Sequence, residues 1–177
     1  MFNTLAHPVI FAHRGASAHA PENTLAAFEL ALAQGADGIE LDVKLSADGK
    51  VVVIHDATVD RTTGAHGRVK DLSLAEMRPL NAGSFFSEKY TGEKIPTLEE
   101  VFEAVGKRTF INVELTNYNT PRDQLVETVC MLVKRFGLQK SVMFSSFFAS
   151  NLSKARAYLP GAFPNPRRND HGHQRPP

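Results

Sequence analysis

Four apolar runs of this 177-residue sequence carry side chains suited to acid–base or ionic chemistry. "PVIFAH" closes on His13, with Arg14 next. "DGIELDVKL" holds Glu40 and Asp42, "KVVVIHD" closes on His55 and Asp56, and "TFINVEL" holds Glu114. Residues two apart in a strand share a face, so Glu40 and Asp42 point the same way. Carboxylates gathered on a buried face are costly unless paired, and a divalent cation is their natural partner. An all-oxygen donor set suits Mg²⁺, Mn²⁺ or Ca²⁺ rather than zinc, whose sites usually include His or Cys. Two histidines beside such an ion supply acid and base near neutral pH, and the fork of Arg14 matches phosphate oxygens. Together these residues point to metal-assisted phosphoryl chemistry.

Each element alone has a plainer reading. An "ELD" in a strand is commonly a solvent-facing edge or a salt-bridged pair. His13 by itself reads as a hydrogen-bonded structural histidine, and Glu114 as an ion-pair partner. "VVVIHD" also suggests the HD-type phosphohydrolases, but their His-Asp pair is expected on a helix, and here it ends a β-branched run. What favours the joint reading is recurrence at consecutive strand ends.

Those strands must be positioned by what lies between them. Strand patterns at 8–13, 37–45, 50–56, 109–115 and 141–147 alternate with helical ones at 23–35, 95–106, 121–137 and 148–160. Asn23 and Thr97 are expected as N-caps, and Gly35 as a helix end. The Asp48–Gly49 pair favours a hairpin-like turn. Near-continuous apolar strands separated by helices argue for parallel strands buried on both faces. This is an α/β class, either a doubly wound sheet or a (β/α) TIM-type barrel. The turn after the first strand holds His13, Arg14 and only Gly15, not a Gly-rich phosphate loop, which favours the barrel. In a barrel the strand ends converge on one mouth. Residues 57–94 exceed an ordinary βα loop, carry a short helix at "SLAEMRPL", and read as a small inserted subdomain. The tail, 160–177, holds five of the ten prolines without periodicity and reads as disordered.

With 42% hydrophobic and 22% charged residues and a net charge of +1, the chain reads as globular, with nothing global that favours nucleic acid or a membrane surface. No run approaches the ~18 apolar residues of a membrane span, and no secretory signal stands at the N-terminus. A cytoplasmic location without a stable membrane anchor is the expectation. The single cysteine, Cys130, lies in an apolar helical run and reads as a buried small hydrophobe.

Taken in order, "HRGASAHAPENTLAAF", "GADGIELDVKLSADGKVVVIHDATVDRTTGAHGRVKDLSLAEMRPLNAGSFF", "IPTLEEVFEA" and "INVEL" resemble the glycerophosphodiester phosphodiesterase family from about residue 9 to about residue 159. The resemblance implies a (β/α) barrel with a small insertion after the third strand. It implies hydrolysis of small-molecule glycerophosphodiesters, such as glycerophosphocholine or glycerophosphoethanolamine, to glycerol 3-phosphate and an alcohol. It also implies His13 and His55 as the acid–base pair, Glu40, Asp42 and Glu114 as ligands of a Ca²⁺, Mg²⁺ or Mn²⁺ cofactor, and Arg14 on the phosphate.

Two departures qualify it. The family usually has a lysine two residues after the fourth-strand glutamate, near the phosphate; Thr116 stands there, so weaker phosphate binding, a shifted preference or a replacement cation is expected. Family members also continue to eight strands, whereas about five are recognisable here before the tail, as in a truncation. An open sheet would expose edges to self-association. Two readings therefore stand side by side: a metal-dependent phosphodiesterase, and an inactive metal- or phosphate-binding module of the same lineage. Barrels that cleave phospholipids through an internal hydroxyl are the runner-up among enzymes.

Overall fold

A computed structural model describes residues 8–160. Its strands are β1 (Phe11–His13), β2 (Gly38–Leu45), β3 (Val51–Val53), β4 (Phe110–Leu115) and β5 (Val142–Ser145). Its longer helices are α1 (Leu25–Ala33), α4 (Leu98–Val105), α5 (Leu125–Arg135) and α6 (Ala149–Tyr158); the short α2 (Asp60–Thr63) and α3 (Leu74–Met77) lie between β3 and α4. β1, β2, β4 and β5 are parallel and adjacent in that order, each separated from the next by at least one helix. These are strands of a (β/α) barrel whose sheet does not close among the described residues; β1 and β5 are its edges.

The period-two rule divides β2 and β4 into two working faces. Ile39, Leu41 and Val43, with Ile111, Val113 and Leu115, are fully buried in the core with Phe28, Leu98, Phe102, Leu125, Val129 and Val133 from the helices. Full burial of such a side chain is worth about 1.5–3 kcal/mol. A one-residue slip would turn them all out, so the register is strongly specified. The alternate positions, Glu40, Asp42 and Lys44 with Asn112 and Glu114, are thereby committed to the opposite face.

β3 is the exception to the parallel pattern. Only five residues separate it from β2, too few for a parallel crossover. The hairpin-like turn forms instead, with the Ser46 N–H on Lys50 O at 2.9 Å and Gly49 at φ +73°. β3 therefore runs antiparallel to β2, pairing Val43 with Val53 and Leu45 with Val51. The Ile54 N–H continues the pairing onto Asp42 O at 3.0 Å, which brings His55 back alongside the carboxylates of β2.

On the other face of β3, Val52 joins Ile54, Val59, Val69, Met77, Ala82 and Ile95 in a second buried cluster, which fixes the long segment leading to α4. Thr97 caps α4 as expected, within a capping box shared with Glu100. At α1 the cap is Thr24 rather than Asn23: the Thr24 hydroxyl accepts the Ala27 N–H, and the Asn23 side chain is taken by Asp42. Cys130 is buried in α5, and burial pushes its thiol up to about 11. No helix among the described residues is long and apolar enough to cross a membrane. The Pro-rich tail expected over 160–177 lies, beyond residue 160, outside the described residues.

Candidate active site

Strand register alone assembles the carboxylates. Asp42 is aligned with Glu114 across β2 and β4, and Glu40 with His13 across β1 and β2. Glu40, Asp42 and Glu114 each present an oxygen, all within 4.8 Å of one another. Asp42 and Glu40 are buried at 2% and 7% exposure. Burial first, then Asp42 beside it, pushes the Glu40 carboxyl up to about 7. Its Oε1 has no hydrogen-bond partner among the described residues, and neither do Asn112 Oδ1 and Ser145 Oγ, which register places on the same face. Crowded like charges and unsatisfied buried oxygens are what a hard divalent cation would relieve, so this donor set fits one.

The turn after β1 is built around the cluster. Arg14 adopts a left-handed backbone (φ +57°), uncommon for a residue with a Cβ. The conformation aims its backbone N–H at Glu40 Oε2, 3.0 Å away. Its side chain reaches Glu22 Oε1 through Nη1 at 3.1 Å and lies 3.4 Å from Asp42 Oδ2 through Nε. Gly15 follows at φ +79°, with the Ala27 backbone 2.7 Å from where a Cβ would stand. Gly15→Ala combines a disfavoured φ with a backbone clash, so it should destabilise the fold by more than about 1 kcal/mol, read as a lowered midpoint in urea. An unchanged midpoint would show that this turn is not held against α1.

Asn23, also left-handed at φ +58°, donates from Nδ2 to Asp42 Oδ2 at 2.9 Å and so orients that carboxylate. Asn is among the few residues that enter this region readily.

The two histidines sit differently. His13 is exposed, its Nε2 3.8 Å from Glu40 Oε2. His55 is hydrogen-bonded through Nδ1 to Asp56 Oδ1 at 2.7 Å. Arg61 grips Asp56 from the other side, Nε to Oδ2 at 2.7 Å, and holds that carboxyl down to about 2. A carboxylate kept ionised makes Nδ1 the protonated nitrogen and leaves the Nε2 lone pair free. Arg61 also donates twice to Glu22, at 2.7 and 2.8 Å. A continuous run of alternating charge, His55–Asp56–Arg61–Glu22–Arg14–Asp42, thus links one histidine to the carboxylate cluster.

Thr116 is buried, and its hydroxyl is fully engaged: it donates to Val43 O at 2.8 Å and accepts from Lys44 Nζ at 2.8 Å. Its one proton is therefore not turned to a ligand, and the charged group beside it is Lys44 of β2. Tyr118 donates to Glu114 Oε1 at 2.8 Å and is packed edge-on by Phe147 and Phe148. His55, Asp56, Glu114, Lys44 and Tyr118 all line one cavity of about 510 Å³.

Sequence reasoning missed Glu22, Asn23, Arg61, Lys44 and Tyr118 as members of this arrangement. Lys44 had a signal, since it continues the 40–42 alternation onto the same face. Arg61 and Glu22 had none, because their meeting depends on how the segment after β3 folds back.

Residues 13–168 match the glycerophosphoryl diester phosphodiesterase family. Among curated proteins, a glycerophosphodiester phosphodiesterase of Caldanaerobacter subterraneus subsp. tengcongensis is 46% identical over 86% of this chain and 63% of its own length. Among solved structures, a glycerophosphodiester phosphodiesterase from Agrobacterium tumefaciens superposes with a TM-score of 0.79 at 38% identity, over 87% of this chain and 64% of that one. An Oleispira antarctica phosphodiesterase in complex with the product sn-glycerol-3-phosphate superposes with a TM-score of 0.81 at 38% identity, over 86% and 63%. The chain spans just under two thirds of the length of these proteins.

Proposed function

The chain belongs to the glycerophosphoryl diester phosphodiesterase family, and on that premise we propose that its carboxylate-and-histidine mouth hydrolyses glycerophosphodiesters to glycerol 3-phosphate and an alcohol. The single observation that carries this reading is the convergence of Glu40, Asp42 and Glu114 within 4.8 Å, with both histidines beside them.

Glu40, Asp42 and Glu114 would hold a divalent cation, Ca²⁺, Mg²⁺ or Mn²⁺, which when bound supplies Lewis-acid stabilisation of charge on the phosphate. Arg14 clamps the phosphate from the β1 side, its orientation set by Glu22 and Asp42. Lys44, which lines the same cavity as His55 and Glu114, adds a second cation. His55, protonated at Nδ1 by its bond to Asp56, takes through Nε2 the proton of the attacking oxygen, either water or the substrate's own glycerol hydroxyl. As the new P–O bond forms and the ester P–O bond to the alcohol breaks, His13 gives its proton to the departing alcohol. Where the glycerol hydroxyl attacks, the product is a cyclic glycerol phosphate. Water opens it to glycerol 3-phosphate, with one histidine taking the water's proton and the other returning one to the glycerol oxygen. Residues 57–94 act as a small subdomain that carries Arg61 to Asp56 and Glu22.

The test is release of glycerol 3-phosphate from glycerophosphocholine and glycerophosphoethanolamine by the purified chain, with added Ca²⁺ or Mg²⁺ and with EDTA. Release that requires the metal supports the proposal; release indifferent to EDTA overturns the carboxylate assignment. One observation favours a second reading, a binding module without turnover: the sheet of β1, β2, β4 and β5 does not close into a barrel among the described residues. Binding of the ion and of glycerol 3-phosphate without release of product would establish that reading.

A further inference from the structure

Beside the catalytic mouth lies a second cavity of about 380 Å³, lined by the cations Lys44, Arg68 and Lys70 and by no aspartate or glutamate among the described residues. Thr58, Thr116 and Asn119 line both cavities, as does Lys44, so the two meet along the wall where His55 and Glu114 face the mouth. The cations are not equivalent. Lys70 is already paired with exposed Asp71 at 2.5 Å. Lys44 spends two of its three N–H donors on Thr116 O and Oγ1, which leaves one for a ligand. The Arg68 guanidinium has no hydrogen bond or ion pair among the described residues. Its backbone is nonetheless fixed: Arg68 bridges Thr58, and the Val69 N–H bonds to Ala57 O at 3.0 Å, two residues beyond His55.

Resting on the phosphodiesterase reading above, we propose that this cavity receives the leaving alcohol and selects diesters whose leaving alcohol carries its own anionic group, a phosphate or carboxylate. A diester held at the mouth has two arms, and only one is glycerol. The other arm, directed past Lys44, enters a space with unpaired positive charge and hydroxyl and amide groups able to bond a polyol. A quaternary ammonium placed beside Arg68 would meet like charge that no carboxylate pairs among the described residues, whereas Lys70 is offset by Asp71 and Lys44 by the carboxylates around it. An anionic group would gain charge-assisted hydrogen bonds from the guanidinium of Arg68, with Lys44 left to the scissile phosphate.

The test is calorimetric binding of glycerophosphoinositol 4-phosphate and of glycerophosphocholine to the full chain at physiological salt, with Ca²⁺ present. A His55→Ala background prevents consumption of the diesters. The expected result is about tenfold tighter binding of the anionic diester, reduced to within about threefold in Arg68→Gln but retained in Lys107→Gln, which removes a charge from an exposed site just beyond the end of α4. Equal binding of the two diesters overturns the subsite, as does an equal loss in both charge variants; in either case the phosphodiesterase reading stands. Binding of neither diester overturns that reading and the subsite with it.

Discussion

His55→Ala and His13→Ala should each lower glycerol 3-phosphate release by about 10²–10⁴-fold, with the far-ultraviolet spectrum and melting temperature of the parent retained. The magnitude is that of losing one positioned proton carrier. The fold should survive because both side chains are exposed and neither belongs to the apolar clusters. The histidines should nevertheless differ in how they respond to their neighbours. His55 depends on Asp56 for its tautomer, and Asp56 depends on Arg61 for its orientation, held through Nε and Nη2. Arg61→Gln should therefore depress turnover by a smaller factor than His55→Ala, and should have little further effect once His55 is alanine. Product release over time by the single and double variants measures this. If Arg61→Gln cut activity equally in the parent and the His55→Ala chain, Arg61 would act through Glu22 and Arg14 instead.

The same residues show what a one-dimensional reading can and cannot reach. Alternation along β2 is a local property, so Glu40 and Asp42 could be placed on one face without any knowledge of the rest. The pairing of Asp42 with Glu114 required that β2 and β4 be parallel neighbours, which the sequence order hid: the strand expected third, at 50–56, lies off the parallel path as an antiparallel partner of β2. His55 was assigned to a strand end, yet its position rests on a tight turn at Asp48–Gly49 that reverses β3 and returns it beside Asp42. Asn23 illustrates a competition: a residue well suited to cap α1 is drawn instead to a buried carboxylate, and Thr24 takes over the cap. Arg61 lay beyond reach because its partners, Glu22 and Asp56, are brought together by a segment with its own small core. Thr116 could be seen as a missing charge, but the cation that stands against it comes from the neighbouring strand, 72 residues earlier in the chain.

A divalent cation should stabilise the chain, and more strongly at pH 8 than at pH 5.5. Without metal, the Glu40 carboxyl is pushed up to about 7 from an ordinary value of 4.5, chiefly by burial and then by Asp42. The folded chain therefore holds a proton between those two values that the unfolded chain has released. The contribution to stability is full below about 4.5 and is lost as pH rises through about 7, so melting in EDTA should be lower at pH 8 than at pH 5.5 on account of this group. Metal reverses the trend, since ligation needs the deprotonated carboxylate. Below about pH 7 the ion must displace that proton, so its affinity should fall by up to about tenfold per pH unit. At pH 8 an ion at 100 times its dissociation constant adds about 2.7 kcal/mol, which for a domain of this size is a rise of roughly 5–10 °C in melting temperature. Glu114→Gln removes one carboxylate ligand and should abolish most of that rise. Thermal melts of both chains at the two pH values, with EDTA or Ca²⁺, decide the matter. A rise independent of pH, or one that survives Glu114→Gln, would place the ion away from Glu40, Asp42 and Glu114. Thermal melting also separates the ion from catalysis: a pH-dependent rise without product release would mean that the strand register of β2 and β4 suffices to build the metal site, and that turnover needs more than this chain supplies.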